Sequence, residues 1–555
     1  MTVVRICFVI SMIIGHVTPG VSQLINETNK PLSKVAPLSE SELRSWFHSD
    51  YQIDTIPGIS LNKLYLSGLL NRENEEVIVA VLDTKIDVDH EDLVGNIWVN
   101  TDEIPGNKID DDNNGYIDDI NGWDFLSDVQ GDYITYQSFE VVRIIRALED
   151  KYEGVNLEDI DKRFHTDKAL YENAKIDFKN QLEFYKSSII EFREWVVDYN
   201  KYDSLIAESI SHYSYDAIII DSLIQFSTDS THIAAAEYIK ISHDYDWTPE
   251  NLDSWITWFD GIVTNGLNIN HDERSIIGDD PHDIRDAYYG SPDVDGIVPF
   301  NHSISVSGAI GANRANQIGA VGFSDNLSIM PLVMVASGDE YDKDIALAIR
   351  YAVDNGAKVI NMSWGKKFSI HEDWVSEAIK YAASHDVLIV HGAGNDSANC
   401  DSIKYYPNDN IDNHTEFVDN FITVGASSFE INENLIPSFS NYGKSNVDVF
   451  APGVDIYTTK EGNEYQYADG TSLATPVVSG IAGLLRSYFP ELSASQTKQI
   501  ILASGITYDI DVNIDFDENE NPILKNFTQL SKTGKIVNAY NAFIMAQEFR
   551  NQKSN

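Results

Sequence analysis

The sequence predicts an α/β fold, a parallel sheet flanked by helices on both faces, interrupted by an inserted, mostly helical subdomain. Three observations predict it. Val77-Ile78-Val79-Ala80-Val81-Leu82 and Val387-Leu388-Ile389-Val390 are unbroken apolar runs rich in β-branched residues, the pattern of strands buried on both faces. Further strand runs at Ile329–Val335 and Lys358–Met362 alternate with helical patterns at Asp344–Val353 and Trp374–Ala383, and such alternation builds parallel sheets. At 555 residues and 43% hydrophobic composition, the chain has the material for a large core.

The elements follow in order. Arg5 precedes an apolar run from Ile6 to Val17, then the small residues around Thr18–Ser22, so residues 1–22 read as a secretory signal peptide. That predicts a secreted, periplasmic or cell-surface protein with no membrane span once the signal is removed. Residues 23–75 carry Ser39-Glu40-Ser41-Glu42 ahead of Leu43, Trp46 and Phe47, a capped amphipathic helix expected to pack on the domain that follows. That domain is expected at 76–127 and 294–545, with the insertion at 128–293 and a short tail at 546–555. Within the insertion, Phe178, Leu182, Tyr185, Ile189, Phe192, Val196 and Tyr199 alternate by four and three, a stripe that predicts a long helix packed on another. Thr248-Pro249-Glu250 supplies a cap and a first-turn proline, so a second helix starts there. The insertion reads as a gate on substrate access, a partner-binding surface or a structural elaboration.

Charge and cysteine content narrow the function. With 39 basic and 87 acidic residues the net charge is −48. That excludes a nucleic-acid partner, whose phosphates require Lys and Arg. Cys7 lies in the signal segment and leaves Cys400 alone, so stability does not come from a disulfide. A bound cation is the natural substitute. Asp110, Asp112, Asn114, the carbonyl of Tyr116 and Asp118 fall at EF-hand-like spacing around Gly115, which predicts structural Ca²⁺. Asn121 stands where a bidentate Glu would complete the loop, and an ordinary Asp/Asn/Gly turn is the alternative. The run Asp515-Phe516-Asp517-Glu518-Asn519 is acidic but lacks the glycine. The sequence sets no oligomeric state.

Four residues carry candidate chemistry. Asp83 ends the first buried strand run, where open α/β sheets place their sites. His302 precedes a helical stretch. Asn395 follows the second strand run in His391-Gly392-Ala393-Gly394-Asn395, an amide donor on a tight turn. Ser472 lies in Gly470-Thr471-Ser472-Leu473-Ala474-Thr475-Pro476 at a helix start, where free N–H groups favour a developing oxyanion, and Pro476 suits an early helix position. Asp, His, Ser is one of the chain orders used by serine-protease triads.

In these motifs the chain resembles the subtilisin-like serine proteases, the subtilase family, over roughly 76–127 and 294–545. The resemblance implies a secreted endopeptidase acting on protein or peptide substrates, with Asp83, His302 and Ser472 as triad and Asn395 as oxyanion donor. Ser363-Trp364-Gly365 resembles the strand lining the family's specificity pocket. Asp92 and Asn316 occupy positions resembling calcium ligands of some subtilases. Two motifs depart from the family pattern: Asp83-Thr84-Lys85 has Lys where glycine is usual, and His302-Ser303-Ile304-Ser305 has Ser after the histidine. A Lys85–Asp83 pair would compete for the carboxylate that orients His302. The alternative is therefore a catalytically silent binding or scaffold protein on the same fold.

Overall fold

The structure, a computed structural model, describes residues 34, 36–210, 217–298, 301–516 and 521–553. The signal peptide expected at 1–22, with Cys7, lies outside the described residues, as do Asp517, Glu518 and Asn519. The chain divides into two compact units, Met1–Thr135 with Asp272–Asn555, and Tyr136–His271. Residues 128–135 and 272–293, read from sequence as part of the insertion, group with the first unit.

The first unit is built on strands β1 (Val77–Asp83), β2 (Trp123–Asp124), β3 (Leu327–Val333), β4 (Val359–Met362), β5 (Leu388–Gly392), β6 (Phe421–Ser427) and β7 (Val449–Pro452). They form one sheet in the order β2-β3-β1-β4-β5-β6-β7, every neighbouring pair parallel. The unbroken apolar runs have a direct cause. Val77, Val79 and Val81 point into one core, against Val477, Ile481 and Leu485 of the Thr471–Tyr488 helix. Ala80 and Leu82 point into the opposite core, against Ile345 and Ile349 of the Asp342–Asp354 helix and Ala378 of the Glu372–Ser384 helix. With both faces covered, neither set of alternating positions tolerates polarity. Strand β1 is central and β4 and β5 follow it in the sheet, so the segments leaving their C-terminal ends converge in one place.

The N-terminal segment packs on the first core through aromatic side chains. Glu42 accepts from both Ser39 N–H (2.9 Å) and Ser39 Oγ (2.7 Å), as the capping pattern predicts. The helix that follows is only Glu40–Leu43. Trp46 and Phe47 then enter a 3₁₀ turn and are buried, and Trp46 Nε1 donates to Val454 O at 3.0 Å.

The second unit consists mainly of helices Glu140–Tyr152, His165–Ile210, Ala217–Phe226, Ser230–Asp244 and Pro249–Gly261. The long stripe lies on the 46-residue helix, where Tyr185 and Phe192 place their rings 4.9 and 5.6 Å from Phe259 of the last helix. Pro249 opens that helix behind Thr248. Among the described residues, no helix is long and apolar enough to cross a membrane.

Candidate active site

Asp83 is the last residue of β1 and is fully buried. Its backbone carbonyl accepts from Met334 N–H (2.9 Å), and its Oδ1 accepts from Thr84 N–H (2.8 Å). The imidazole Nδ1 of His302 lies 3.0 Å from Oδ1 and 2.9 Å from Oδ2 of that carboxylate. An ionised carboxylate only accepts, so Nδ1 carries the proton and Nε2 presents its lone pair. Burial disfavours the imidazolium, but the charge and hydrogen bond of Asp83, with a smaller contribution from Glu340, hold the pKa of His302 above its ordinary 6.5.

Thr84 positions the histidine. Its Oγ donates to Lys85 O (3.1 Å) and accepts from the backbone N–H of His302 (3.2 Å) and Ser303 (3.0 Å). Those amides open the Ser303–Gly311 helix and have no carbonyl of their own to reach. One hydroxyl, on the residue after the aspartate, thus fixes where the histidine helix begins. Ser303 is buried at the start of that helix.

Lys85 does not pair with Asp83. Its Nζ donates to Asp293 O (2.7 Å), Asp293 Oδ2 (3.1 Å) and Asp295 O (3.2 Å), and lies 3.3 Å from Asp124 Oδ2. The competition that the motif departure suggests is absent, and the carboxylate of Asp83 faces His302.

Ser472 is the second residue of the Thr471–Tyr488 helix. Gly470 caps it with φ 142° and ψ 160°, and a Cβ there would lie 2.7 Å from Ser472 Oγ, so only glycine fits. That same point is 3.5 Å from Asn395 Nδ2, which places the hydroxyl and the amide nitrogen on one side of the turn. The amide orientation follows from its partners. Asn395 Oδ1 accepts from Thr471 N–H (2.9 Å) and Thr471 Oγ (3.0 Å), so Nδ2 is the end turned toward Ser472.

Pro476 is the sixth residue of this helix, inside it rather than at its first turn. Without an N–H it cannot bond the carbonyl of Ser472 four residues back. Ser363 Oγ supplies the missing donor, at 2.8 Å from Ser472 O. Ser363 Oγ in turn accepts from Asn361 Nδ2 (3.0 Å), and Asn361 Oδ1 accepts from Ser479 Oγ (2.8 Å). This buried relay ties the segment leaving β4 to the serine helix at both ends. Trp364 turns its Nε1 back to Leu82 O (2.6 Å) and meets the His391 ring edge-on at 6.2 Å, so the indole packs against the end of β1. A Cβ on Gly365 would lie 3.2 Å from Tyr406 O and 3.3 Å from His391 Nε2. His391, at the C-terminal end of β5, is buried and its pKa falls to about 4, which keeps it neutral.

The Subtilase family pattern matches residues 74–527. This chain belongs to the subtilase family. It is 36% identical over 230 residues to the thermophilic serine proteinase of Bacillus sp. (strain AK1), covering 41% of this chain and 51% of that one. To subtilisin DY of Bacillus licheniformis it is 31% identical over 239 residues, 43% of this chain and 80% of that one. To thermitase of Thermoactinomyces vulgaris it is 34% identical over 187 residues, 34% of this chain and 61% of that one. The match thus spans about half the length of the first of these relatives. A cold adapted subtilisin-like serine proteinase of solved structure aligns with TM-score 0.33 and 25% identity over 42% of this subtilase and 76% of that chain.

The acidic loop differs from its sequence reading in which side chains gather. Asp110 accepts from the backbone N–H of Asn114 (3.0 Å) and Gly115 (2.9 Å). Asp118 accepts from the N–H of Asn107 (3.1 Å) and Lys108 (2.9 Å), so its carboxylate holds a turn. Tyr116 packs its ring edge-to-face with Trp123 and Tyr351. The carboxylates that converge are Glu103, Asp112 and Asp119, with oxygen atoms within 4.8 Å of one another, and Asn114 Nδ2 reaches Asp112 (3.1 Å) and Asp119 (3.0 Å). Burial pushes Asp119 up to about 6. Glu103 and Asp119 escaped the sequence reading because one lies seven residues before the loop and the other falls out of alternate register. Asp92 and Asn316 do meet: Asn316 Nδ2 donates to Asp92 Oδ1 at 2.7 Å.

Proposed function

We propose that this subtilase is a serine endopeptidase that hydrolyses peptide bonds of protein or peptide substrates through an acyl-enzyme. Ser472 Oγ attacks the scissile carbonyl carbon as His302 Nε2 takes its proton. The imidazolium that forms is stabilised by Asp83, which also holds Nδ1–H and so fixes the tautomer. Asn395 Nδ2 and the Ser472 backbone N–H receive the oxyanion; losing one such donor typically lowers the rate about 10²–10³-fold. Collapse of the tetrahedral species expels the amine, which leaves with the proton from His302. Water then repeats the sequence on the ester and releases the acid.

The observation that carries this reading is the paired contact of His302 Nδ1 with both oxygens of Asp83, together with the diversion of Lys85 to Asp293 and Asp124. It favours the enzyme over a silent scaffold. The family membership agrees with it. The direct test is cleavage of an unfolded protein by the purified chain and by Ser472→Ala. Fragments formed only by the unsubstituted protein support the reading; equal or no cleavage by both counts against it. Secretion by removal of residues 1–22 belongs to the same proposal and is read from the N-terminal sequence of the exported protein.

A structural Ca²⁺ is the second part of the proposal. Glu103, Asp112 and Asp119 offer converging hard oxygen donors, the chemistry that calcium takes. They would hold the ion, with Asn114 close by. Asp110, Asn114, Tyr116 and Asp118, read from spacing, would shape the loop around it. The ion's contribution there is cohesion of the loop, outside the chemistry at Ser472.

A further inference from the structure

Lys85 stands where glycine is usual in this motif, two residues after Asp83, and it is 7% exposed. A buried ammonium demands compensation, and the surroundings supply it in two forms. One is charge: Asp124, fully buried at the end of β2, with its Oδ2 at 3.3 Å, and Asp293 at 3.1 Å. The other is a pair of main-chain carbonyls, those of Asp293 and Asp295, which accept at 2.7 and 3.2 Å.

Those carbonyls belong to the segment that leads into His302. Residues 291–296 run between two strand ends. Ser291 exchanges backbone hydrogen bonds with Asp124 (2.8 and 2.9 Å), and Ile86 N–H donates to Val294 O while Gly296 N–H donates to Ile86 O (both 3.1 Å). Asp295 Oδ1 accepts from Val88 N–H at 3.1 Å. Gly296 adopts φ +140°, and a Cβ there would lie 3.3 Å from Lys85 Cδ, so the lysine stem lies against that backbone. The stretch from Asp83 to Val88 thus touches the incoming chain twice, at 293–296 and, through Asp83 and Thr84, at 302–303.

We propose that Lys85 is a positioning residue for the Asp83–His302 pair, its ammonium tying the Asp293 and Asp295 carbonyls to the end of β1 so that the chain delivers His302 onto Asp83. This rests on the reading of Asp83 and His302 as a catalytic pair. The competing account gives Lys85 one task, neutralising Asp124. The two separate cleanly by substitution. Lys85→Met alone leaves Asp124 buried and uncompensated, so loss of fold would confound it. Lys85→Met combined with Asp124→Asn removes the buried ion pair and leaves the two carbonyls without their donor, while the Asp293 carboxylate, which also loses Lys85, is largely exposed to water.

The experiment compares the full-length unsubstituted protein, the double variant and Asp124→Asn, by thermal unfolding and by active-site-titrated kcat and KM across pH. The expected result is a double variant that unfolds near the unsubstituted protein. Its kcat falls roughly 10–100-fold, the scale that about an ångström of misplacement costs. KM stays within about threefold, because the acyl-accepting and oxyanion groups are untouched. The alkaline-going limb of its kcat profile moves to lower pH, since His302 held less closely by Asp83 loses the interaction that raises its pKa. A double variant with unchanged kcat and unchanged limb overturns the positioning role while leaving the enzyme reading intact. An unsubstituted protein with no Ser472-dependent turnover overturns both.

Discussion

The proposed oxyanion role of Asn395 can be separated from its part in stability by a single atom. Its Oδ1 accepts from Thr471 N–H at 2.9 Å and from Thr471 Oγ at 3.0 Å, while Nδ2 faces the side of Ser472. Asn395→Asp keeps an acceptor oxygen for both Thr471 donors and exchanges only Nδ2. On the folded state the change is small, about 1 kcal/mol or less, because no buried donor loses its partner. On the transition state the oxyanion loses a donor, about 3–4 kcal/mol. It also meets a negative charge, which at about 4 Å and an effective dielectric near 20 adds roughly 4 kcal/mol of repulsion. The expected outcome is a fall in kcat of at least about 10³-fold with a near-native unfolding temperature. Asn395→Ala, by contrast, removes both acceptor contacts and lowers stability and kcat together. The assay is kcat for a chromogenic peptide, normalised to folded protein, with thermal unfolding in parallel. A folded Asn395→Asp protein with kcat within about tenfold of the parent would refute the assignment of Nδ2 to the oxyanion.

Three further outcomes follow from other contacts. Because Asp83 raises the pKa of His302 above 6.5, kcat/KM rises with pH through a value above 6.5, and Asp83→Asn moves that limb to lower pH while lowering the rate; a pH–rate profile measures both. The sign for stability is opposite: the raised pKa contributes stability that is full below the unfolded value and is lost as pH climbs through the folded one. Thr84→Val leaves the N–H groups of His302 and Ser303 without an acceptor and should destabilise by about 2 kcal/mol, with Thr84→Ser restoring it, as read by chemical denaturation. Chelation of divalent cations should lower the unfolding temperature, and Asp119→Asn with Asp112→Asn should remove that dependence; an unfolding temperature indifferent to Ca²⁺ and chelator contradicts the proposed ion.

The sheet was legible in the sequence because its strands answer to one rule. Burial on both faces leaves no polar position in Val77–Leu82 or Leu388–Val390, and β1 and β5 appear where those runs lie. The serine and asparagine motifs were legible for a similar reason: a Gly-only φ at Gly470 and a fixed amide orientation at Asn395 leave little freedom of residue type. What escaped depends on contacts between segments far apart in the chain. The destination of Lys85 is set by Asp293, 208 residues on, and no local pattern reports it. The acidic loop was read by alternation, yet Glu103 joins Asp112 from outside the run, while Asp118 serves backbone amides. Pro476 reads as an early helix residue, but its effect is to free the Ser472 carbonyl for Ser363, a contact across 109 residues.

Whether Ser472 is an activated nucleophile can be read by covalent labelling. The purified chain, with Ca²⁺ present, is treated with a fluorophosphonate that modifies only activated serines, and the labelled peptide is mapped by mass spectrometry. A single adduct is expected on Ser472, formed faster as pH rises through the His302 titration, absent in Ser472→Ala and greatly slowed in His302→Ala. A well-folded protein that takes no label, or labels elsewhere with Ser472 unmodified, would contradict it.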